Sequence, residues 1–97
     1  MEYDVENEAE RRQALQRFYE EYDAVRRKYG LMMSMHASVY DCCWIRIWQG
    51  SGVEKKMVIK VENDSETLCY HVATEALISW VADKEACQNG REEINNV

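Results

Sequence analysis

Apolar and polar residues alternate along this chain in two rhythms, one of three to four residues and one of two. Between positions 5 and 29, Leu15, Phe18, Tyr22, Val25 and Tyr29 recur at steps of three and four. That spacing lines one side of an α-helix. Glu8 with Arg12, and Asp23 with Arg27, are acid-to-base pairs at i, i+4, each worth a few tenths of a kcal/mol to a helix. Acids crowd the start of the segment, and Arg26, Arg27 and Lys28 crowd its end, as the helix dipole favours. Gly30 follows, in the place where helices often stop in a left-handed conformation.

From residue 31 the period becomes two. Over 31–40, Leu31, Met33, Met35, Ala37 and Val39 take one side, and Met32, Ser34, His36, Ser38 and Tyr40 the other. Over 43–49, Cys43, Ile45 and Ile47 alternate with Trp44, Arg46 and Trp48. Over 55–61, Met57, Ile59 and Val61 alternate with Lys56, Val58 and Lys60. These are half-buried strands. Gly50-Ser51-Gly52 marks a turn, and the short connections predict an antiparallel meander. Asn63, Asp64 and Ser65 are all suited to cap a helix, with Glu66 three residues after Asn63. A second helix is expected over 65–88, with Cys69, Val72, Ala73, Ala76, Leu77, Trp80 and Val81 on its apolar side. Asn89-Gly90 is expected to stop it, leaving residues 91–97 as a frayed polar tail.

The expected fold is one α+β domain over residues 1–97, in order α-β-β-β-α. Two helices cover one face of a three-stranded antiparallel meander, giving two layers. Its core should contain Leu15, Phe18, Tyr22, Val25, Met33, Met35, Ile45, Ile47, Ile59, Leu77 and Trp80. Three-residue loops at 40–42 and 51–53 would put Val39 opposite Cys43 and Gly50 opposite Glu54. Arg46 then lies between His36 and Val58, Trp44 between Ser38 and Lys60, and Trp48 between Ser34 and Lys56. The face without helices would thus carry aromatic and cationic residues together.

Composition narrows the function classes. The chain has 97 residues, 46% hydrophobic and 31% charged. That is a globular composition with room for one modest core. No apolar run reaches the length needed to span a bilayer, and the start, MEYDVENEAE, is acidic where a secretory signal is basic and then apolar. The expected location is cytoplasmic. Of the net charge of −6, residues 31–61 hold two acids against four bases, and residues 62–97 eight acids against two bases. The acidic balance argues against general affinity for nucleic acid.

Chemistry-bearing residues are sparse. Cys42, Cys43, Cys69 and Cys87 include no CxxC pair. They are expected to be free thiols packing as small apolar residues; the other reading is a zinc site using Cys42, His36 and a further ligand. His36 and His71 are the only histidines, and His71, two residues from Cys69, points to a different side of a helix. No catalytic constellation emerges, so the expectation is a non-enzymatic protein without a cofactor. The candidate partner-binding residues are Trp44, Arg46, Trp48, Lys56, Lys60 and His36, since tryptophan and arginine dominate binding hot spots. The competing reading lays the lysine stems over the indoles on a solvated face. A second candidate surface is Glu66, Glu75, Asp83 and Glu85, which could imitate phosphates or simply be a solvated helix face.

The element order resembles that of the double-stranded-RNA-binding domain. That family grips phosphate with lysines at the start of its second helix, where this chain reads ENDSETLCYH. The segments FYEEYDAVRRKYGLMMSM and CYHVATEALISWV resemble those of small phage and prophage accessory proteins. The general plan is similar to that of some anti-CRISPR proteins and other inhibitors of bacterial defence. This resemblance implies a phage protein, in the cytoplasm of a bacterial host, that binds and blocks a host protein complex. The alternatives are a nucleic-acid-binding module or a homodimeric adaptor.

Overall fold

The first helix, α1, runs Val5–Tyr29 and stops at Gly30. Gly30 has φ +65°, a left-handed conformation that costs a glycine little. The chain reverses there directly into β1, Leu31–His36. Two hydrogen bonds tie this corner to β2, Cys43–Gln49. Gln49 Nε2 donates to Tyr29 O, and the Gly50 N–H donates to Gly30 O, both at 3.1 Å. The side-chain bond satisfies one of the carbonyls that every helix end leaves unpaired. The computed structural model describes residues 5–37 and 42–95; residues 38–40 of the first expected strand lie outside them.

Past β2, Gly50 takes φ +90°, where a Cβ would meet Glu54 O at 3.4 Å. A 3₁₀ turn over Gly52–Glu54 then leads into β3, Lys56–Asn63. The strands form one antiparallel sheet in the order β1-β2-β3. With α2, Glu66–Asn95, the order is α-β-β-β-α, the expected α+β fold.

Burial alternates along β2 as the period-two pattern predicts: Cys43, Ile45 and Ile47 are buried, and Trp44, Arg46 and Trp48 half-buried. The pairing differs from expectation by two residues on both sides. Trp44 lies opposite His36 rather than Ser38, and Arg46 opposite Ser34 rather than His36. On the other edge Arg46 lies opposite Lys60 rather than Val58, and Trp44 opposite Glu62 rather than Lys60. The connections are longer than three residues, with β1 ending at His36 and β3 starting at Lys56. An even shift leaves every side chain on its face.

One irregularity does exchange faces. The register slips between Ile47, opposite Ile59, and Trp48, opposite Met57. Val58 is the extra residue of a β-bulge. It packs against the core, whereas Met57 turns outward and is 43% exposed. The expected phase of Met57, Val58 and Lys56 is therefore reversed. Lys56 falls opposite Gln49, in phase with the helix-side residues rather than with the tryptophans.

Of the three cap candidates, Ser65 starts α2: its Oγ accepts from the Leu68 N–H at 3.2 Å, and Asn63 Oδ1 accepts from the Ser65 N–H at 2.8 Å. The helix passes through Asn89-Gly90 to Asn95, beyond the expected stop and into the expected tail, of which residues 96 and 97 lie outside the described residues. A glycine inside a helix costs roughly 1 kcal/mol relative to alanine, a penalty the helix absorbs here.

Phe18, Ile45, Ile47 and Leu77 form the centre of the core, with Tyr22 and Ile59 also buried. Leu15, Val25, Met33, Met35 and Trp80 are partly buried around them. Val72 is exposed, and Tyr70 and Thr74 are buried instead. The second helix touches both α1 and the sheet, so its buried arc is turned from the stripe that apolar residues alone mark. Thr74 Oγ1 donates to Tyr70 O at 2.8 Å, which removes the cost of burying a hydroxyl. Among the described residues three ion pairs join α1 to α2: Arg11–Glu66 at 3.2 Å, Arg17–Glu75 at 3.5 Å and Lys28–Glu85 at 3.4 Å. Residue numbers rise together along these pairs, so the helices run parallel.

Cys43 and Cys69 are buried, and the Cys69 thiol faces Cys43 O at 3.5 Å. Burial pushes both thiols up, Cys69 to about 12. A hydrogen bond to Glu62 raises the thiol of Cys42.

Ile45→Ala and Leu77→Ala should each lower the unfolding free energy by about 2–5 kcal/mol, read as a lower urea midpoint; unchanged midpoints would overturn the packing. The unfolded chain loses the Cys69 proton near its ordinary 9.0, before the folded chain does. This contribution to stability is whole below that pH and is lost as pH rises towards about 12. Cys69→Ala should flatten the alkaline decline, and Cys87, which is exposed, should react with a thiol reagent before Cys43 and Cys69 do.

Candidate functional site

The face of the sheet away from the helices is built in three rows across the strands. His36, Trp44 and Glu62 form the first. Ser34, Arg46 and Lys60 form the second, and Met32, Trp48 and Met57 the third. Each row exists because outward residues of β2 meet outward residues of both neighbours, and the third exists only because the bulge delivers Met57.

The rows differ in chemistry. In the first, the His36 and Trp44 rings stack with centroids 5.8 Å apart and planes 21° apart. The Arg46 guanidinium reaches from the second row onto Trp44, its Cζ 4.2 Å from the ring centroid. This cation–π contact is worth roughly 0.5–2 kcal/mol. It holds Arg46 Nε out of water with no hydrogen-bond partner, a cost of about 1–3 kcal/mol. Arg46 also stands opposite Lys60, and like charges directly across a sheet destabilise it. The third row is apolar, with Met32 and Met57 53% and 43% exposed on either side of Trp48. Lys55 Nζ lies 5.1 Å from the Trp48 centroid.

The structure therefore brings together Trp44, Arg46, Trp48, Lys60 and His36 of the first candidate set, and separates Lys56 from them. Lys55 occupies the place over Trp48 that the sequence pattern assigns to Lys56. Met32 belongs to the expected outer side but carries no signal that marks it out. Met57 is concealed by the bulge, which has no sequence signature here.

Charge is distributed unevenly between the layers. Arg11, Arg12, Arg17, Arg26 and Lys28 on α1 each pair with a carboxylate. Among the described residues Arg46, Lys55, Lys56 and Lys60 of the sheet layer pair with none, and neither do Arg27 of α1 and Lys84 of α2. Of the second candidate set, Glu66, Glu75 and Glu85 face cations of α1 across the helix seam. Glu66 also accepts from the Tyr70 hydroxyl, whose ionisation is pushed up first by burial and then by that carboxylate. Asp83 stands apart, beside a groove with Lys60 and Trp80.

Among the described residues, no group of three histidine, cysteine or carboxylate side chains is arranged to hold a metal ion, and no described helix is long and apolar enough to cross a membrane. His71 is exposed while Cys69 is buried, so the two do not meet as nucleophile and base. An open groove between the starts of α1 and α2 contains Arg17, Thr67 and His71, and Ser65 at its rim is engaged as the helix cap. The uncovered face as a whole has an apolar end and a cationic middle. No family model, curated protein or solved structure matches the chain.

Proposed function

We propose that this chain is a small non-enzymatic binding protein that docks on a protein partner through the uncovered face of its sheet. The observation that carries the reading is the apolar row Met32–Trp48–Met57 beside the opposed cations Arg46 and Lys60. A solvated face gains nothing from setting two cations against each other or from leaving two methionines half in water. A partner's side chains can relieve both. The resemblance to inhibitors of bacterial defence adds the kind of partner, a protein complex of a bacterial host that this chain would block.

Two rival readings are less well supported. A second copy packed face to face would bring Arg46 and Lys60 against another cationic pair in a desolvated interface. For nucleic acid, the start of α2 holds Glu66 bound to Arg11 where a phosphate-gripping lysine is wanted. Trp44 already carries His36 and Arg46 against its ring, leaving little indole for a base to stack on.

Light scattering should give the one-chain mass of 11.5 kDa for wild type and for Trp44→Ala/Trp48→Ala. Immobilised wild type and a Glu75→Gln/Glu85→Gln control should retain the same bacterial protein, and Trp48→Ala should lose it while staying folded by circular dichroism. Equal retention by Trp48→Ala would overturn the reading, and a wild-type dimer that the tryptophan variant splits would assign the face to self-association.

A further inference from the structure

We infer that the segment this face accepts is acidic and apolar together, setting carboxylates over Arg46 and Lys60 and an apolar side chain over Met32, Trp48 and Met57. The inference rests on the binding role proposed above and adds the chemistry of the occupant.

Charge complementarity carries it. Five of the six cations of α1 have carboxylate partners within the chain, Arg27 being the exception, whereas among the described residues none of Arg46, Lys55 and Lys60 has one. Arg46 and Lys60 are directly opposite each other. A carboxylate seated between them turns a repulsive pair into two charge-assisted hydrogen bonds. The guanidinium is already oriented by its contact with Trp44, so little side-chain freedom remains to be lost on binding. Lysine fits the same site poorly, because a third cation would join two.

The neighbouring row sets the second requirement. Outward residues of one strand repeat about every 6.8 Å, so the cationic row and the Met32–Trp48–Met57 row lie about one such step apart. An extended segment presents its i and i+2 side chains at this spacing. Met32 and Met57 flank the indole from both sides, and methionine adapts its shape to varied apolar partners. The bulge that turns Met57 outward costs a regular ladder position, and bulges often re-aim a side chain at a working surface.

Backbone-amide NMR of the full chain tests this with three probes: a short peptide alternating leucine and aspartate, the same peptide with lysine for aspartate, and an oligothymidylate. The aspartate peptide should shift Met32, Arg46, Trp48, Met57 and Lys60, and bind more weakly as salt rises. Arg46→Gln, and separately Lys60→Gln on its exposed position, should weaken binding about tenfold. The lysine variant keeps the test valid should Arg46→Gln disturb the fold. Equal or stronger shifts of these residues by the lysine peptide or by the oligothymidylate would overturn this inference and leave the face a binding surface. No shift on this face with any probe would overturn both readings.

Discussion

The central strand must satisfy two opposite environments on alternate residues, and the rest of the molecule depends on its doing so. Ile45 and Ile47 are sealed beneath the helices, and burying each is worth roughly 1.5–3 kcal/mol. Between and beside them Trp44, Arg46 and Trp48 point the other way. A slip of one residue would drive an arginine and two indoles into the core. The same constraint therefore secures the fold and composes the outer face. The corner at Gly30 and Gly50 helps to fix it, because the bond between their backbones sets where β1 meets β2.

The helix layer solves a different problem. Two parallel helices lie side by side with their dipoles aligned, an unfavourable arrangement. The pairs Arg11–Glu66, Arg17–Glu75 and Lys28–Glu85 oppose it, although each is partly exposed and contributes about 0–1 kcal/mol. The two sheet edges are guarded in different ways. The outer strand β3 carries Lys56, Lys60, Glu62 and the bulge, features that discourage pairing with another chain. The strand β1, without lysine, arginine or carboxylate, is instead approached by α1: the Tyr22 hydroxyl donates to Leu31 O at 3.3 Å, and that of Tyr19 to Met35 Sδ at 3.3 Å.

Much of this was legible in the sequence wherever a periodic pattern meets a single environment. The alternation of β2 and the stripe of α1 have one buried side each, and their residues read directly. What depends on loop length was not legible. Trp44 meets His36 and Glu62 because the connections are longer than the shortest that fit. The bulge at Val58 is set by tertiary packing, and so Met57 and Lys56 read in the wrong phase. Tyr70 and Thr74 are polar enough to read as surface, yet each hides its oxygen in a hydrogen bond to its own helix. The carboxylates of α2 read as a free acidic face because their partners lie far away along the chain.

That last distance has a consequence for how the molecule assembles. Arg11 and Glu66 are 55 residues apart, and Lys28 and Glu85 are 57 apart, whereas each pair of adjacent strands is joined by a short connection. Closing the long loop costs about 2 kcal/mol more chain entropy than closing a hairpin. Contacts within the meander can form first, since they ask least of the chain. The inner side of that sheet stays open until Cys69, Ala73 and Leu77 arrive with α2. Closing the core thus waits on the part of the chain farthest from α1, while the outer rows are composed wholly of residues within the locally connected meander.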